Sequence, residues 1–529
     1  IIGKYHKLKN TIVASDVRFG LLPPGAKIEP IYYTTEGLTI KQISKFVSYV
    51  LNNEEYHVHS LIPTYLEDKY NLLSKKDAIY NVHIPEDIVT LKKARQRIKY
   101  EELFMYMLKI RYLKQKIESD DTAIERVLDY DKINKFIDNL PYKLTLDQSS
   151  SIKEILKDLE SKKRMNRLLQ GDVGSGKTIV AFIAIYANYL SKYQSALMAP
   201  TEILATQHYN NMKDIFKDTD INIALLTGST SKKDKDKILT SLANNDIDVI
   251  IGTHSLIQEE VEYNNLGLVI TDEQHRFGVN QRANLENKGK KPDTLYMSAT
   301  PIPRTYALTI FGDMDVSTIK TRPKGRKKIH TVLKNEAEMK DVLAMMYEEL
   351  KQDHQIYVIA PLIEESENSD LTNVNELKDK LTVAFGSKYK IGLVHGKMAT
   401  AAKDKVMNDF LLNKCQILIS TTVIEVGVDV PNATMMVIFD ANRFGLSTLH
   451  QLRGRVGRND LQSHCVLISN QDTERLHIME KTTDGFEISE EDFKLRGHGD
   501  LFGTKQSGDM SFKIANIKND YSILLRARE

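Results

Sequence analysis

The chain has 529 residues, of which 41% are apolar and 27% charged, and its formal net charge is +2. This composition is typical of a globular protein with several domains, and any binding of a polyanion must depend on local basic clusters. The longest apolar runs, such as 179–190, are too short to cross a bilayer. Cys415 and Cys465 lie in apolar stretches, so we expect buried, reduced thiols and a cytoplasmic protein. The chain begins with Ile1 and not Met, and we expect further sequence before it.

The first 140 residues differ in character from the rest of the chain. Residues 1–33 show short alternating segments broken by Gly and Pro, which predicts the end of a β domain. Residues 34–140 are predicted to be a helical linker. Within it, segment 93–118 spaces apolar residues at helical intervals between charges, which predicts a long amphipathic helix packed on a neighbouring element.

Apolar strands then alternate with helices in two successive blocks. The predicted strands are 167–170, 195–200, 248–254, 266–273 and 294–300 in the first block, and 355–362, 390–396, 416–423, 435–441 and 464–469 in the second. This alternation predicts parallel sheets, so the fold class is α/β with two tandem domains at 141–325 and 326–470. Residues 471–529 are polar and Gly-rich, which predicts a helical hairpin at about 472–494 followed by an extended loop.

A phosphate-binding loop is predicted at 171–178, where the sequence is GDVGSGKT. It fits G-x-x-x-x-G-K-[ST] between a predicted strand and a predicted helix. Its glycines let backbone N–H groups surround an anion at the helix N-terminus, Lys177 reaches the β- and γ-phosphates, and Thr178 binds Mg²⁺. The predicted nucleotide-binding residues of this loop are Gly171, Gly174, Ser175, Gly176, Lys177 and Thr178.

Hydrolysis of a bound nucleotide requires further groups, and two segments supply candidates. Asp272 and Glu273 end an apolar strand, and we predict that Asp272 holds the metal and Glu273 activates water. In the second block, QLRGRVGR at 451–458 offers Arg455 and Arg458 to stabilise the charge of the transferring phosphate. These arginines reach the loop only if the two domains close on the nucleotide. The alternative is a solvated basic turn.

In order along 141–458, these segments resemble the motifs of superfamily 2 helicases and translocases, whose two domains are RecA-like. The further segments that carry the resemblance are LTLDQ at 144–148, APTEILATQH at 199–208, LLTGS at 225–229, DEQH at 272–275, SATPIPRT at 298–305 and STTVIEVGVDVP at 420–431. The resemblance implies that Gln148 reads adenine, that Asp429 also contacts the nucleotide, and that Gln451 is catalytic. The implied coupling residues are His275, Ser298 and Thr300. The implied DNA-contacting residues are Pro200, Thr201, Thr227, Gly228 and Thr422.

Within the superfamily, the chain resembles the RecG-type ATP-dependent DNA helicases most closely. TDEQHRFGV at 271–279 and LRGHGDLFGTKQSG at 495–508 are similar to that family's signatures, although His498 stands where proline is expected. The resemblance implies that residues 1–33 end an OB-fold wedge domain. It also implies that the hairpin at about 472–494 and the loop after it transmit closure of the motor to DNA. It implies an ATP- and Mg²⁺-dependent translocase that unwinds and reverses stalled forks and branched duplex DNA in the bacterial cytoplasm. We expect a monomer that does not bind membranes, and a single-stranded-DNA-binding protein is a candidate partner.

Other functions stay open on the sequence alone. A transcription-repair coupling translocase shares several of these motifs but should carry an RNA-polymerase-binding domain before the motor. RNA helicases of the superfamily usually have His where this chain has Gln451. A nucleotide-gated binding protein that hydrolyses nothing would not need Glu273 or the arginines. The basic linker at 320–330 either contacts DNA phosphates or is a solvated hinge.

Overall fold

The computed structural model describes residues 2–6, 11–16, 28, 30–34, 37–53, 57–118, 124–274, 277, 279–289, 291–299, 314–321, 327–360, 369–396, 398–421, 430–496, 512–516 and 519–529. The chain divides into two compact units, residues 1–109 with 507–529, and residues 110–506. The domain boundaries expected from the sequence stay predictions.

The strands and helices follow one another along the whole chain. The strands are β1 (Ile2–His6), β2 (Thr11–Asp16), β3 (Asn166–Gly171), β4 (Gln194–Met198), β5 (Ile223–Leu226), β6 (Val249–Gly252), β7 (Leu266–Thr271), β8 (Asp293–Ser298), β9 (Asp315–Ile319), β10 (His330–Lys334), β11 (Gln355–Ile359), β12 (Ile391–Val394), β13 (Ile417–Ser420), β14 (Ala433–Ile438) and β15 (His464–Ile468). The α-helices are α1 (Ile40–Leu51), α2 (Thr64–Lys69), α3 (Lys75–His83), α4 (Ile88–Glu118), α5 (Tyr130–Asp138), α6 (Leu146–Leu159), α7 (Lys177–Leu190), α8 (Glu202–Ile215), α9 (Lys232–Ala243), α10 (Val279–Glu286), α11 (Met339–Lys351), α12 (Ser369–Phe385), α13 (Thr400–Leu411), α14 (Leu446–Arg453), α15 (Glu474–Lys481), α16 (Gly485–Arg496) and α17 (Tyr521–Arg528).

The first unit joins the start of the chain to its end. β1 and β2 form an antiparallel hairpin, and the helix predicted at 93–118 is present as α4. On α4, the buried Arg97 donates hydrogen bonds to Glu67 and Glu101, both at 2.8 Å. Glu102 accepts the backbone N–H groups of residues 513–515 at 2.8–3.1 Å, so the C-terminal segment is fastened to α4.

The second unit contains two parallel sheets, which confirms the predicted α/β fold with two tandem RecA-like domains. The seven strands of the first lobe are ordered β5-β6-β4-β7-β8-β3-β9, and the six strands of the second lobe are ordered β10-β15-β14-β11-β13-β12. All registered pairs in both sheets are parallel. The helical hairpin predicted at about 472–494 is present as α15 and α16. The extended loop predicted after the hairpin lies largely outside the described residues.

Sheet topology places the predicted motifs of the first lobe at one edge. β8 lies between β3 and β7, and all three strands are parallel. Their carboxyl ends therefore meet on the same side, as in other open α/β sheets that bind ligands there. β3 ends at Gly171, β7 at Thr271 and β8 at Ser298, so the phosphate-binding loop, the acidic pair and Ser298 converge.

Burial of α7 anchors the phosphate-binding loop. The helix is apolar on nearly all sides, and its residues from Ile179 to Ile185 are buried in the core of the first lobe. A helix buried in this way is fixed by the packing around it and not by an amphipathic surface. Its N-terminus is therefore held rigidly at the sheet edge where the motifs converge.

Two predictions made from composition concern the state of the cysteine thiols and the length of the apolar segments. Cys415 and Cys465 are buried, free thiols, as expected from the sequence, and burial raises the pKa of Cys465 to about 12. Within the described residues, none of the helices has both the length and the apolar character that a bilayer span requires.

Candidate nucleotide site

The loop between β3 and α7 has the geometry of an anion cradle. Gly174 and Gly176 adopt left-handed backbone conformations, with φ of +73° and +83°, that favour glycine. Gly176 is also required by packing, because a Cβ there would lie 2.2 Å from Nε2 of Gln148. Since α7 begins at Lys177, its first backbone N–H groups face the loop, where a phosphate would accept their hydrogen bonds.

Gln148 holds this loop from the side. Its Oε1 accepts the backbone N–H of Thr145 at 2.8 Å, in a capping box at the start of α6. Its Nε2 donates to the carbonyl oxygen of Ser175 at 2.8 Å. The side chain is buried, so the predicted adenine-reading residue also supports the backbone of the phosphate-binding loop.

Lys177 is folded back onto the loop that it belongs to. Its Nζ donates to the carbonyl oxygens of Gly171 at 2.7 Å and Asp172 at 3.0 Å. Burial lowers the pKa of Lys177 from its ordinary value, although the charges of Glu273 and Asp272 oppose this shift. Ser175 Oγ is buried and has no hydrogen-bond partner among the described residues. An arriving phosphate would satisfy this hydroxyl and the ammonium group together.

Asp272 lies directly after β7 and is kept ionised by its neighbours. His208 Nε2 donates to Oδ2 of Asp272 at 2.9 Å, and the backbone N–H of Glu273 donates to Oδ1 at 2.9 Å. Burial would raise the pKa of Asp272, but the hydrogen bond and charge of His208 and the charge of Lys177 hold it below its ordinary value. An ionised, oriented carboxylate at this position is suited to a divalent cation.

Mg²⁺ fits the residues at this edge. Mg²⁺ prefers one or two carboxylates, a hydroxyl, waters and substrate phosphates to a cage made entirely of protein. Asp272 offers the carboxylate and Thr178, in the first turn of α7, offers the hydroxyl. In the described part of the chain, no group of three or more His, Cys, Asp or Glu side chains could hold a metal by itself. The bound ion would neutralise phosphate charge.

Glu273 differs from its acidic neighbour in both backbone and ionisation. Its φ of +49° lies in the left-handed region, which a non-glycine residue adopts only when its surroundings enforce it. Burial and the charge of Asp272 raise the pKa of Glu273 above its ordinary value, although the charges of Lys177 and Arg455 oppose this. Its Oε2 faces the backbone N–H of Ala299 at 3.4 Å, which connects it to the segment after β8. A carboxylate with a raised pKa is suited to accept a proton.

Arginines of the second lobe lie next to these groups of the first lobe. Arg455 is buried, and its charge acts on the carboxyl group of Glu273. The charge of Arg458 acts on Lys177, and its Nε donates to the carbonyl oxygen of Gly454 at 3.3 Å. The structure therefore brings both predicted arginines to the phosphate-binding loop.

Arg453, the third arginine of the segment, has a different role. Its side chain is only 1% exposed. It donates hydrogen bonds to the carbonyl oxygens of Met479 at 2.6 Å and Thr482 at 3.0 Å, and to Thr331 Oγ1 at 3.3 Å. Arg453 thus fastens the end of α14 to the end of α15.

The two lobes touch directly at the phosphate-binding loop. Gly454, after α14, packs on Val173 so closely that a Cβ would lie 2.9 Å from Val173 Cβ. Beside it, Nε2 of His450 and Oδ1 of Asp172 are 2.5 Å apart, and both residues are buried. Gly485, at the start of α16, covers this pair, since a Cβ there would lie 2.7 Å from His450 Nε2.

The segments predicted to contact DNA lie side by side. Thr201 caps α8, its Oγ1 accepting the backbone N–H of Leu204 at 3.3 Å. Glu202, the next residue, accepts a hydrogen bond from Ser229 Oγ at 2.7 Å, and a Cβ on Gly228 would lie 2.9 Å from Glu202 Oε1. Glu202 therefore connects the two predicted backbone-contacting segments.

The other predicted site residues divide into two groups. Thr227, Ser298 and Gln451 are buried and Pro200 is half-buried. The following lie outside the described residues: His275, Thr300, Thr422 and Asp429.

Three residues that bear on the site were missed by the sequence analysis. His208 belongs to the quoted segment 199–208, but only the packing of α8 against the first sheet, where it contacts β5 and β6, brings it to Asp272. Asp172 occupies a loop position that the phosphate-binding pattern leaves free. His450 directly precedes the arginine-rich segment, and that adjacency is the one signal in the sequence that could have indicated it.

Comparison with known proteins gives matches along both lobes and the C-terminal region. Family models match at residues 145–308 (DEAD/DEAH box helicase), 337–460 (helicase conserved C-terminal domain) and 482–529 (ATP-dependent DNA helicase RecG, domain 3, C-terminal). A RecG helicase of Bacillus subtilis is 47% identical over 533 residues, and one of Staphylococcus epidermidis is 50% identical over 536 residues. Each alignment covers 100% of this chain and 78% of the relative.

A solved structure of RecG bound to a three-way DNA junction is 42% identical, with a TM-score of 0.72. It matches 94% of this chain, which spans 66% of that chain. The similarity extends over the parallel sheets, the phosphate-binding loop and the C-terminal segment, and the identity is close to half over the full length. The chain therefore belongs to the RecG family of ATP-dependent DNA helicases.

Proposed function

We propose that this chain couples ATP hydrolysis to translocation along double-stranded DNA, and that it unwinds and reverses branched junctions such as stalled replication forks. The observation that carries the proposal is the direct contact of the two lobes at the phosphate-binding loop, where Gly454 of the second lobe packs on Val173 of the first. The solved relative bound to a three-way DNA junction supports a branched substrate.

Binding of ATP depends on the loop and on Gln148. Backbone N–H groups around Gly174 and Gly176 surround the phosphates, and Lys177 leaves its two loop carbonyls to reach the β- and γ-phosphates. Ser175 contributes its hydroxyl. Gln148 keeps the loop in place, and the family resemblance assigns it the reading of the base. Asp429 completes the set of nucleotide-contacting residues.

Hydrolysis requires a base and a stabilised transition state. Glu273 orients a water molecule and takes its proton, for which a raised pKa is an advantage near neutral pH. Asp272 and Thr178 would hold Mg²⁺, which would neutralise negative charge on the phosphates when bound. Arg455 and Arg458 stabilise the negative charge that develops on the transferring phosphate, and Gln451 supports them from α14.

Coupling follows from the division of the site between lobes. Since the base and the arginines belong to different lobes, hydrolysis requires closure, and release of product permits opening. His275, Ser298 and Thr300 connect the nucleotide to the DNA-contacting face. The family resemblance assigns DNA contact to Pro200, Thr201, Thr227, Gly228 and Thr422, and the basic linker at 320–330 is a candidate for further phosphate contacts.

The remaining expectations concern the cellular setting of the protein. We propose that it acts as a monomer in the bacterial cytoplasm. A single-stranded-DNA-binding protein is the candidate partner, because such proteins occupy the exposed strands of stalled forks.

ATP hydrolysis and strand separation measured on matched DNA substrates test the proposal. We expect a three-way junction and a model fork to stimulate hydrolysis more than linear duplex, single-stranded DNA or RNA, and the junction to be unwound only with ATP and Mg²⁺. The Glu273→Gln variant is the control for contaminating activity. Equal stimulation by linear duplex and junction would contradict the branched substrate, and preferential stimulation by RNA would contradict the DNA motor.

A further inference from the structure

We propose that His450 is a positioning residue of the ATPase cycle, which connects the phosphate-binding loop to the helical hairpin of α15 and α16 through buried hydrogen bonds. Through this connection, closure of the lobes on ATP is transmitted to the hairpin. The inference rests on the proposed ATP-driven translocation, and it assigns one residue to its coupling step.

The first link joins the two lobes. His450 lies on α14 of the second lobe, and its Nε2 is 2.5 Å from Oδ1 of Asp172 in the phosphate-binding loop. Asp172 is also the residue whose backbone carbonyl accepts a hydrogen bond from Lys177 at 3.0 Å. When a phosphate draws Lys177 away, the carbonyl of Asp172 loses this partner. Any shift of Asp172 that follows directly changes its hydrogen bond with His450.

The second link runs from His450 into the hairpin. Nη2 of Arg453 is 3.1 Å from Nδ1 of His450, and Nη1 of the same guanidinium group donates to the carbonyls of Met479 and Thr482. Both carbonyls lie at the C-terminal end of α15, just before the hairpin turns into α16. The guanidinium group therefore holds the imidazole and the hairpin together.

The donors and acceptors of the two hydrogen bonds made by His450 can be assigned in only one way. Arginine can only donate, so Nδ1 of His450 must accept, and the proton of the neutral ring then lies on Nε2 and is donated to the Asp172 carboxylate. Two ring nitrogens with opposite roles are required at the same time. A side-chain amide can occupy one of these two positions, but it cannot span both.

Packing makes the connection sensitive to small movements. Asp172, His450 and Arg453 are each at most 5% exposed, so water cannot readily replace a lost hydrogen bond. Gly485 lies against both ends of the first link, at 2.7 Å from Nε2 of His450 and 2.9 Å from Oδ1 of Asp172 for an added Cβ. The start of α16 therefore packs on the pair, and a rotation of the pair toward Gly485 would displace it.

Two amide substitutions separate the two links. In His450→Asn, the shorter side chain can still accept from Arg453 but cannot reach Asp172. In His450→Gln, the longer side chain can donate to Asp172 but offers no acceptor to Nη2 of Arg453, whose bonds through Nη1 remain. We expect His450→Asn to lower the junction-stimulated kcat by ~10-fold, since a buried hydrogen bond to a charged group is lost, and to leave KM for ATP within about twofold. Fewer base pairs should be unwound per ATP hydrolysed, and His450→Gln should restore most of the loss in kcat.

The matched control is His477→Asn. His477 lies on the exposed side of α15, and among the described interactions its side chain contacts only acidic side chains. It should keep wild-type kcat and wild-type yield of unwinding per ATP. Asp172→Ala combined with His450→Asn provides a second measurement, in which the two losses should not add because both break the same bond.

Several outcomes would overturn the inference. Wild-type kcat and unwinding yield in His450→Asn would remove the role, as would additive losses in the double variant. If both amide variants lose the same fraction of kcat, melt at a lower temperature and unwind as many base pairs per ATP as the wild type, His450 contributes to stability alone. Failure of the unsubstituted chain to unwind any junction would instead contradict the proposed function. In that case, kcat of ATP hydrolysis in the His450 variants would still test the link to Asp172.

Discussion

Replacing Gly454 with Ala tests whether the lobe contact seen in the structure is the contact used in hydrolysis. Gly454 has φ of −67°, so alanine fits its backbone, and the effect of the substitution comes from packing alone. The new Cβ would lie 2.9, 3.1 and 3.1 Å from Cβ, Cγ1 and Cγ2 of Val173. Ordinary carbon contacts need about 3.5–4.0 Å, so the second lobe must retreat from the phosphate-binding loop by roughly 0.5 Å.

This displacement sets the expected magnitude. A misplacement of about 1 Å between reacting groups can cost on the order of 10² in rate, so a shift of about half that size should lower kcat by roughly tenfold. Arg455 follows Gly454 directly and Arg458 donates to the Gly454 carbonyl oxygen, so both would retreat with it. Binding of ATP should change little, because the loop and Gln148 belong to the first lobe.

Steady-state ATP hydrolysis on saturating junction DNA measures the effect, with nucleotide binding and thermal unfolding recorded in parallel. Gly396→Ala is the matched control in the same lobe, since no atom of the described residues lies within 4 Å of the Cβ position there. Val173→Ala should partly rescue Gly454→Ala, because it removes two of the three close carbons. The reasoning is refuted if Gly454→Ala retains wild-type kcat, or if Gly396→Ala loses as much.

The other predictions concern the reacting groups and the loop. Glu273→Gln should bind ATP without cleaving it, as measured by nucleotide binding and single-turnover hydrolysis, and wild-type cleavage would remove the base. Arg455→Ala should keep ATP binding and lower turnover by roughly 10³-fold, so full activity would exclude its role. Because the pKa of Glu273 is raised above its ordinary 4.5, the rate of hydrolysis should begin to fall at a pH above 4.5 as the pH is lowered. Loss of the Arg455 charge should move this acidic limb of the pH–rate profile to still higher pH. An unmoved or lowered limb in Arg455→Ala would contradict that assignment. Gln148→Ala should raise KM for ATP and GTP equally if the side chain only supports Ser175, whereas a changed ATP preference would show that it reads adenine.

The strands that the sequence analysis missed share a position in the fold. β5 and β9 are the two edges of the first sheet, and β10 is an edge of the second. Three of the four residues of β5 and four of the five of β10 are not fully buried, so these strands lack the continuous apolar run of a central strand. Central strands such as β7, which is buried throughout, were predicted within two residues at each end.

The candidate site was predicted in part for a related reason. Residues whose chemistry is set by local backbone, such as the glycines of the phosphate-binding loop, follow from a short pattern. The sequence favoured Arg455 and Arg458 over Arg453 for the transferring phosphate, but it could not assign a role to Arg453, because residues of one basic turn point into different surroundings. Only Arg453 turns toward the end of α15, where carbonyl groups need donors.

The sequence by itself determined the family, the two parallel sheets and the residue types at the phosphate-binding loop, because each depends on patterns within a few tens of residues. Tertiary structure alone decided which side chains meet across large separations, such as Asp172 with His450 or His208 with Asp272. Those meetings depend on how parallel strands bring their carboxyl ends to one edge and how the second lobe packs on that edge. No local pattern records that packing, since it results from the burial of both sheets against their helices.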